Sequence, residues 1–355
     1  MSDSPKASFT ALVTGIGGGG HGEQILKALR LGTLAYRIVG ADASRDCANR
    51  TRVDKFTTLP RANDENYLAA LAELARAEGC RAIFHGSEAE MVVLSRARET
   101  LAAQGFYVPV NPPRVLEICQ DKARTFRHLK AEGCAVPEFH EIAAPGDLDR
   151  VETFPVILKP SVGGGGSANV FIAQTRPELA MFAQYLLQLY KRFVTQEYVG
   201  TPDQEFTVGV LFGGDGELIN SIAIRRIINN ALTIRTRVPN RTGRHELGDN
   251  LVVSTGISQG HVADWPQVRR QCEAIAKSLS PTAPVNIQCR LVDGRVVPFE
   301  INPRFSGTTS LRAMAGYNEP DILIRRDVLG ERIEPGFAYR EGVILRSLQE
   351  TMIDA

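Results

Sequence analysis

The sequence predicts an α/β unit on an open parallel sheet, followed by an α+β portion whose alternating strands are joined by hairpins. Three observations carry this: a strand–helix rhythm in the first third, a break at Asn111-Pro112-Pro113, and a strong hairpin signal at Asp293-Gly294. Residues 11–13 are apolar, a glycine loop follows, and 23–31 put Ile25, Leu26 and Leu29 on one helical face. Residues 36–40 give a second strand. Tyr67, Leu68, Leu71 and Leu74 stripe a helix that Asn63 or Asp64 is placed to cap. Short buried strands over 82–84 and 107–110 flank a helix near 90–103. The Asn-Pro-Pro break sets a first boundary, giving a domain over 1–112. A helical connector follows, with Asp121 as N-cap, Phe126 and Leu129 on its apolar face and Gly133 at its end. Strands over 155–160 and 169–173 flank a second glycine run, 178–190 is helical, and 193–199, 205–212 and 217–228 are strands. Residues 285–292 and 296–302 pair around Asp293-Gly294. The rest of the chain divides into 113–195, with the second glycine run, and 196–355, with the hairpin.

A chain of 355 residues, 43% hydrophobic and 23% charged, holds two or three packed units, since domains usually run to roughly 100–200 residues. A formal net charge of +1 supplies no field to gather nucleic acid or an anionic membrane. No apolar run approaches the roughly 20 residues that span a bilayer, and the Met-Ser-Asp-Ser-Pro-Lys start lacks the pattern of a secretory signal. The six cysteines include no Cys-x-x-Cys pair, which points to free thiols in a reducing cytoplasm.

Four motifs bear on chemistry. Gly15-Ile16-Gly17-Gly18-Gly19-Gly20 followed by Asp42 satisfies a dinucleotide fingerprint, in which glycine amides approach a pyrophosphate and the acid takes a ribose. Lys159 closes an apolar strand and precedes Gly163-Gly164-Gly165-Gly166-Ser167, a combination suited to a phosphate-covering flap. Gln196-Glu197-Tyr198-Val199 leads through a short linker to Glu205, a strand whose main-chain groups suit an adenine edge and whose acid suits ribose hydroxyls. Glu300 and Asn302 lie two apart on a strand and share a face. A three-residue loop would put Gln288 opposite Glu300; a two-residue loop would put it on the other side. An acid and two amides on one face suit Mg²⁺, which keeps positions for water and phosphate oxygens. Arg304 follows where negative charge would gather.

Lys159 with its flap, the hinge over 197–205 and Glu300-x-Asn302-Pro303-Arg304 occur in an order that resembles the ATP-grasp superfamily. The run Asn302-Pro303-Arg304-Phe305-Ser306-Gly307 is most similar to carbamoyl-phosphate-synthase-like members. Lys159-Pro160 and Glu205-Phe206-Thr207-Val208 are also similar to D-alanine–D-alanine ligases. The resemblance covers roughly 111–329. It implies a Rossmann-like N-terminal (pre-ATP-grasp) domain, then a two-subdomain ATP-grasp fold: a small subdomain with the flap and a C-terminal subdomain with the metal-binding hairpin. It implies ATP and Mg²⁺ as cofactors, with Mn²⁺ as a substitute. Lys122 and Lys159 would hold ATP phosphates, with Gly164, Gly165 and Ser167 closing above them. Glu197, Tyr198 and Val199 would face adenine and Glu205 the ribose. Gln288, Glu300 and Asn302 would ligate one or two Mg²⁺ ions, and Arg304 with Lys159 would be catalytic. Arg225 is assigned to the nucleotide site. With Arg226, Arg235, Arg237, Arg241, Arg244 and His245 it also falls in a stretch that borders the acceptor pocket in ATP-grasp enzymes.

The implied activity joins a small-molecule carboxylate to an amine through an acyl phosphate, releasing ADP and phosphate, with no nucleic-acid or membrane partner. Dimers are common in the family, so a homodimer is the assembly to look for. Two departures stand out. Gln288 occupies a place where other members have an acid, and a single ATP-grasp unit without glutaminase or allosteric segments is not a complete carbamoyl-phosphate synthase large subunit. Two rivals stay open: an NAD-dependent oxidoreductase using Gly15–Gly20 and Asp42, and a non-catalytic ATP-binding protein. The first leaves Lys159, Glu300, Asn302 and Arg304 without a task.

Overall fold

A computed structural model describes residues 8–163 and 168–352. Strands β1 (Ser8–Val13), β2 (Ala35–Asp42), β3 (Lys55–Thr58) and β4 (Ala82–Phe84) lie parallel in the order β3-β2-β1-β4. Parallel neighbours need crossovers; α1 (His21–Arg30) joins β1 to β2 and α2 (Tyr67–Ala77) joins β3 to β4, while α3 (Glu88–Ala103) follows β4. Ile25, Leu26 and Leu29 of α1 are buried as their spacing requires. Two local expectations fail. Residues 107–110 make only a single bridge, Tyr107 to Ala82, because the chain turns away after one pair. Neither Asn63 nor Asp64 caps α2; Asp64 accepts from the Asn66 amide at 2.9 Å and forms the turn that precedes the helix.

Asn111, expected only as a breaker, is a buried latch. Its Nδ2 donates to the carbonyls of Pro284 (3.1 Å) and Pro303 (3.0 Å), and its Oδ1 accepts from the Thr282 amide at 2.9 Å. The C-terminal part also completes the first sheet's core: Phe305, Leu311, Ile322 and Leu323 pack with Ile25, Leu29 and Phe84. Helices α4 (Pro113–Cys119) and α5 (Lys122–Ala131) lead away from the break, α4 with proline in its first turn.

Strands β5 (Phe139–Ile142), β6 (Val156–Pro160) and β7 (Phe171–Ala173), helix α6 (Arg176–Leu189) and β8 (Phe193–Glu197) form a small antiparallel layer ordered β5-β8-β6-β7. The larger layer is built from β9 (Glu205–Phe212), β10 (Leu218–Arg226), a separate pair β11 (Ile234–Pro239) and β12 (Asn250–Ser254), then β13 (Gly260–Val262), α7 (Pro266–Ser278), β14 (Val285–Val292) and β15 (Arg295–Asn302). Helices α8 (Thr309–Met314) and α9 (Glu319–Leu323) and strand β16 (Gly342–Ile344) follow, and the sheet runs β15-β14-β9-β10-β13-β16. Every residue of β9 is buried, as expected for the centre of a covered sheet; Phe206, Val208 and Val210 pack under α7 against Val268, Cys272 and Ile275. No helix among the described residues is long and apolar enough to cross a membrane.

Candidate active site

The β14–β15 hairpin sets the site's register. Val292 pairs with Arg295, so the loop is two residues, and Asp293 (φ 48°) and Gly294 (φ 75°) take the left-handed backbone of a type I′ turn. That loop alone would turn Gln288 away from Glu300. The ladder instead steps from Cys289↔Pro298 to Gln288↔Glu300, leaving Phe299 as an extra residue in a β-bulge. Gln288 and Glu300 are therefore opposite one another, with Asn286 opposite Asn302 two residues further along the same face. The bulge has a second effect: the Phe299 carbonyl accepts from Lys159 Nζ at 2.8 Å.

Lys159 lies at the end of β6, 6% exposed. Burial, and next the neighbouring Lys122 ammonium, push its pKa down to about 7 against the opposing pull of Glu300. Lys122 is brought close by Asp121. That carboxylate caps α5 through the Ala123 and Arg124 amides and accepts from Ser161 Oγ at 2.8 Å, while the Lys122 amide donates to the Ser161 carbonyl at 2.9 Å. The start of α5 is thus fastened to the strand end that carries Lys159. Lys122 Nζ donates to the Gly163 carbonyl at 3.3 Å. Gly164, Gly165 and Ser167 lie outside the described residues.

Between the two antiparallel layers runs a cleft of about 730 Å³, lined by Lys122, Lys159, Tyr198, Val199, Glu205, Gln288 and Glu300. Its apolar walls are Ile157, Val170, Val252 and Val253. Gln196, absent from the expected set, contributes a buried Oε1 with no hydrogen-bond partner among the described residues. Glu205 differs from its expected role as a free ribose acceptor, because its carboxylate is already filled. Arg226 Nη1 (2.8 Å) and Ser254 Oγ (2.6 Å) donate to Oε1, and Arg290 Nε (3.2 Å) and Nη2 (3.1 Å) to Oε2. Arg290 lies directly opposite Glu205 in the ladder, so these charges form a row across β14, β9 and β10. Arg290 also donates to the carbonyls of Val199, Gly200 and Val252, fixing the hinge and β12 to the sheet. Tyr198 braces β12: its hydroxyl accepts from the Val252 amide at 2.8 Å. The Glu197 side chain leaves the cleft to pair with Arg244 at 3.0 Å.

A second cleft of about 970 Å³ adjoins the first through Lys122, Phe299 and Glu300, and it contains Asn302 and Arg304. Arg304 Nη2 donates to Asn302 Oδ1 (3.1 Å) and to Glu88 Oε1 (2.8 Å), so the N-terminal unit forms part of this wall. His21 and His85 sit behind it with ring nitrogens 3.1 Å apart; burial first, then the Arg304 charge, lowers both, His85 to about 3. Further along the same face of β14, Arg312 donates to Asn286 Oδ1 at 2.6 Å and pairs with buried Glu319 at 3.0 Å. No sequence motif marks this support, since it joins α8, α9 and β14 only in the fold.

Arg225 does not line the first cleft. Adjacent residues of β10 face opposite sides, so Arg226 turns to Glu205 while the Arg225 guanidinium lies 5.0 Å from the Trp265 ring centroid. Arg241 pairs with Glu178 and Arg244 with Glu197, so much of the arginine stretch is committed within the fold. The N-terminal glycine loop is likewise occupied: the Gly17 amide donates to Asp42 Oδ2 (2.7 Å) and the Gly19 amide to Glu23 Oε2 (2.8 Å). A dinucleotide pyrophosphate there would meet two carboxylates.

Residues 252–350 match the sequence model of the family described as ATP-grasp in the biosynthetic pathway with Ter operon, and 13–109 match the PylC-like N-terminal domain. The carbamoyl phosphate synthase large chain of Thermoplasma acidophilum is 24% identical over 225 residues, 61% of this chain but only 20% of that protein. Among solved structures, N5-carboxyaminoimidazole synthetase from Staphylococcus aureus superposes with a TM-score of 0.64 at 18% identity, covering 94% of this chain and 81% of that one. An L-amino acid ligase from Bacillus licheniformis gives 0.62 at 17%, covering 94% and 78%. At these identities the solved structures speak to the fold. Two regional matches and one shared architecture agree: the chain carries a PylC-like N-terminal domain followed by an ATP-grasp domain.

Proposed function

We propose that the protein is an ATP-dependent ligase that activates a carboxylate as an acyl phosphate and passes the acyl group to an amine. The observation that carries this is the convergence of Lys122, Lys159, Gln288 and Glu300 on one cleft whose inner walls are apolar. In this reading adenine lies between Ile157, Val170 and Val253, with the Glu197 carbonyl and Val199 amide at its edge. The unpartnered Gln196 Oε1 suits the exocyclic amine. The ribose lies beside Glu205, whose part is to hold Arg226 and Arg290 in the wall. Lys122 and Lys159 meet the phosphates.

One carboxylate and two amide oxygens fit Mg²⁺, which takes oxygen donors and leaves positions to phosphate and water. Glu300, Asn302 and Gln288 would hold the ion, and when bound it would neutralise charge on the phosphate oxygens. The substrate carboxylate (or carbonate) attacks the γ-phosphorus, the bond to the β-phosphate oxygen breaks, and ADP leaves. Lys159 and Arg304 offset charge on the transferring group. The amine then attacks the acyl carbon, and phosphate departs with the carboxylate's oxygen. ADP and phosphate are the expected products with the true substrates; AMP and pyrophosphate in their place would remove the mechanism. A thermal shift with adenine nucleotides and none with nicotinamide dinucleotides separates it from the oxidoreductase reading.

Lys159 makes nucleotide binding depend on pH in a defined direction. The free group titrates at about 7, and phosphate oxygens favour its charged form, so binding raises its pKa. Affinity is therefore highest below about pH 7 and falls as pH rises above that value. Calorimetry at pH 8 in buffers of different ionisation enthalpy should register uptake of nearly one proton, absent in Lys159→Met. Equal uptake in the variant would contradict the assignment.

A further inference from the structure

The second cleft differs in chemistry along its length. Its border with the first carries Lys122 and Glu300, with Arg304 inside the second cleft, and these are the groups assigned above to phosphate, metal and transferring oxygen. Beyond that border the wall is made by α3, α4 and α5: Met91, Val92, Cys119 and Phe126 face the space, and Val162, two residues past the end of β6, approaches it. Met91 and Phe126 are each 1% exposed and fixed in packed clusters, whereas Val162 is 53% exposed. Gln120 supplies an amide there. Among the described residues the charged side chains lining this cleft are Glu88, Lys122, Glu300 and Arg304, and Glu88 and Arg304 already pair with one another.

A carboxylate seated at Arg304 and Lys122 would direct its body into this apolar part. A second charge on that body would lose water and find no partner, whereas each buried methylene would add about 0.8 kcal/mol. We infer that the carboxylic acid activated here is a monocarboxylate with an uncharged, largely apolar body, held between α3, α5 and Val162. This rests on the acyl-phosphate reading and narrows its substrate class.

Hydroxylamine traps acyl phosphates as hydroxamates, so the acid can be tested before its amine partner is known. With the full chain, Mg-ATP and hydroxylamine, kcat/KM for hydroxamate formation should rise through acetate, butyrate and hexanoate by roughly three- to fourfold per methylene. Glutarate and glycine should fall below butyrate. A preference for glutarate or glycine over hexanoate, with hydroxamate still formed, overturns the apolar assignment and leaves the ligase reading standing. Absence of hydroxamate and ADP with every acid overturns both. The half-buried Val92→Asp should lower the hexanoate-to-acetate ratio at least tenfold, and an unchanged ratio would show that α3 does not contact the acid. Retention of the ADP-induced thermal shift establishes that the variant is folded.

Discussion

Glu300→Gln is expected to lower Mg-ATP-dependent ADP release by about 10²–10³-fold and to raise the Mg²⁺ concentration needed for half-maximal rate. Glu300 is the one carboxylate in the proposed donor set, faces Gln288 across the ladder and borders both clefts. Glutamine keeps the shape and one oxygen but removes the charge, so the fold should persist while the divalent ion is held by neutral amides alone. The two amides predict a graded series: Gln288→Ala, which removes a neutral donor, should cost far less than Glu300→Gln. Undiminished ADP release in the glutamate variant, measured with the true substrate, would remove the metal assignment.

Glu205→Gln should affect stability before it affects chemistry, destabilising the protein by about 3–5 kcal/mol. Glu205 stands between Arg226 and Arg290, and all three side chains are buried. Removing the acid leaves two positive charges in one place with their desolvation unrelieved, and the row across β14, β9 and β10 then repels itself. Because Arg290 also holds Val199, Gly200 and Val252, the hinge and β12 should loosen together and nucleotide affinity should fall as a consequence. Denaturant unfolding of the variant measures the effect. A change below about 1 kcal/mol, accompanied by weakened nucleotide binding, would mean that Glu205 acts as a ribose acceptor.

Much of this was legible in the chain because local chemistry determined it. The strand–glycine–helix rhythm, the Asp121 cap, β9 and the hairpin all follow from periodicity and turn residues, and the motif order pointed to an ATP-grasp domain. What was not legible depended on pairing between distant segments. The two-residue turn was written in Asp293-Gly294, yet Gln288 meets Glu300 only through a bulge at Phe299, which no residue type announces. Asn111 reads as a breaker because its partners, Thr282, Pro284 and Pro303, are far along the chain. Arg225 and Arg226 are indistinguishable in sequence; strand alternation sends one to Trp265 and the other to Glu205. Glu205 itself carries an acid's signature for either a ligand or a buried ion pair, and only the neighbouring strands tell which charges surround it.

In the proposed reaction a carboxylate oxygen becomes bonded to the γ-phosphorus, and an isotope label follows that bond. With an acid that supports ADP release, labelled with ¹⁸O in both carboxylate oxygens, each turnover to amide should deliver one ¹⁸O into the released inorganic phosphate. Label recovered in AMP, or phosphate carrying none, would rule out the acyl phosphate.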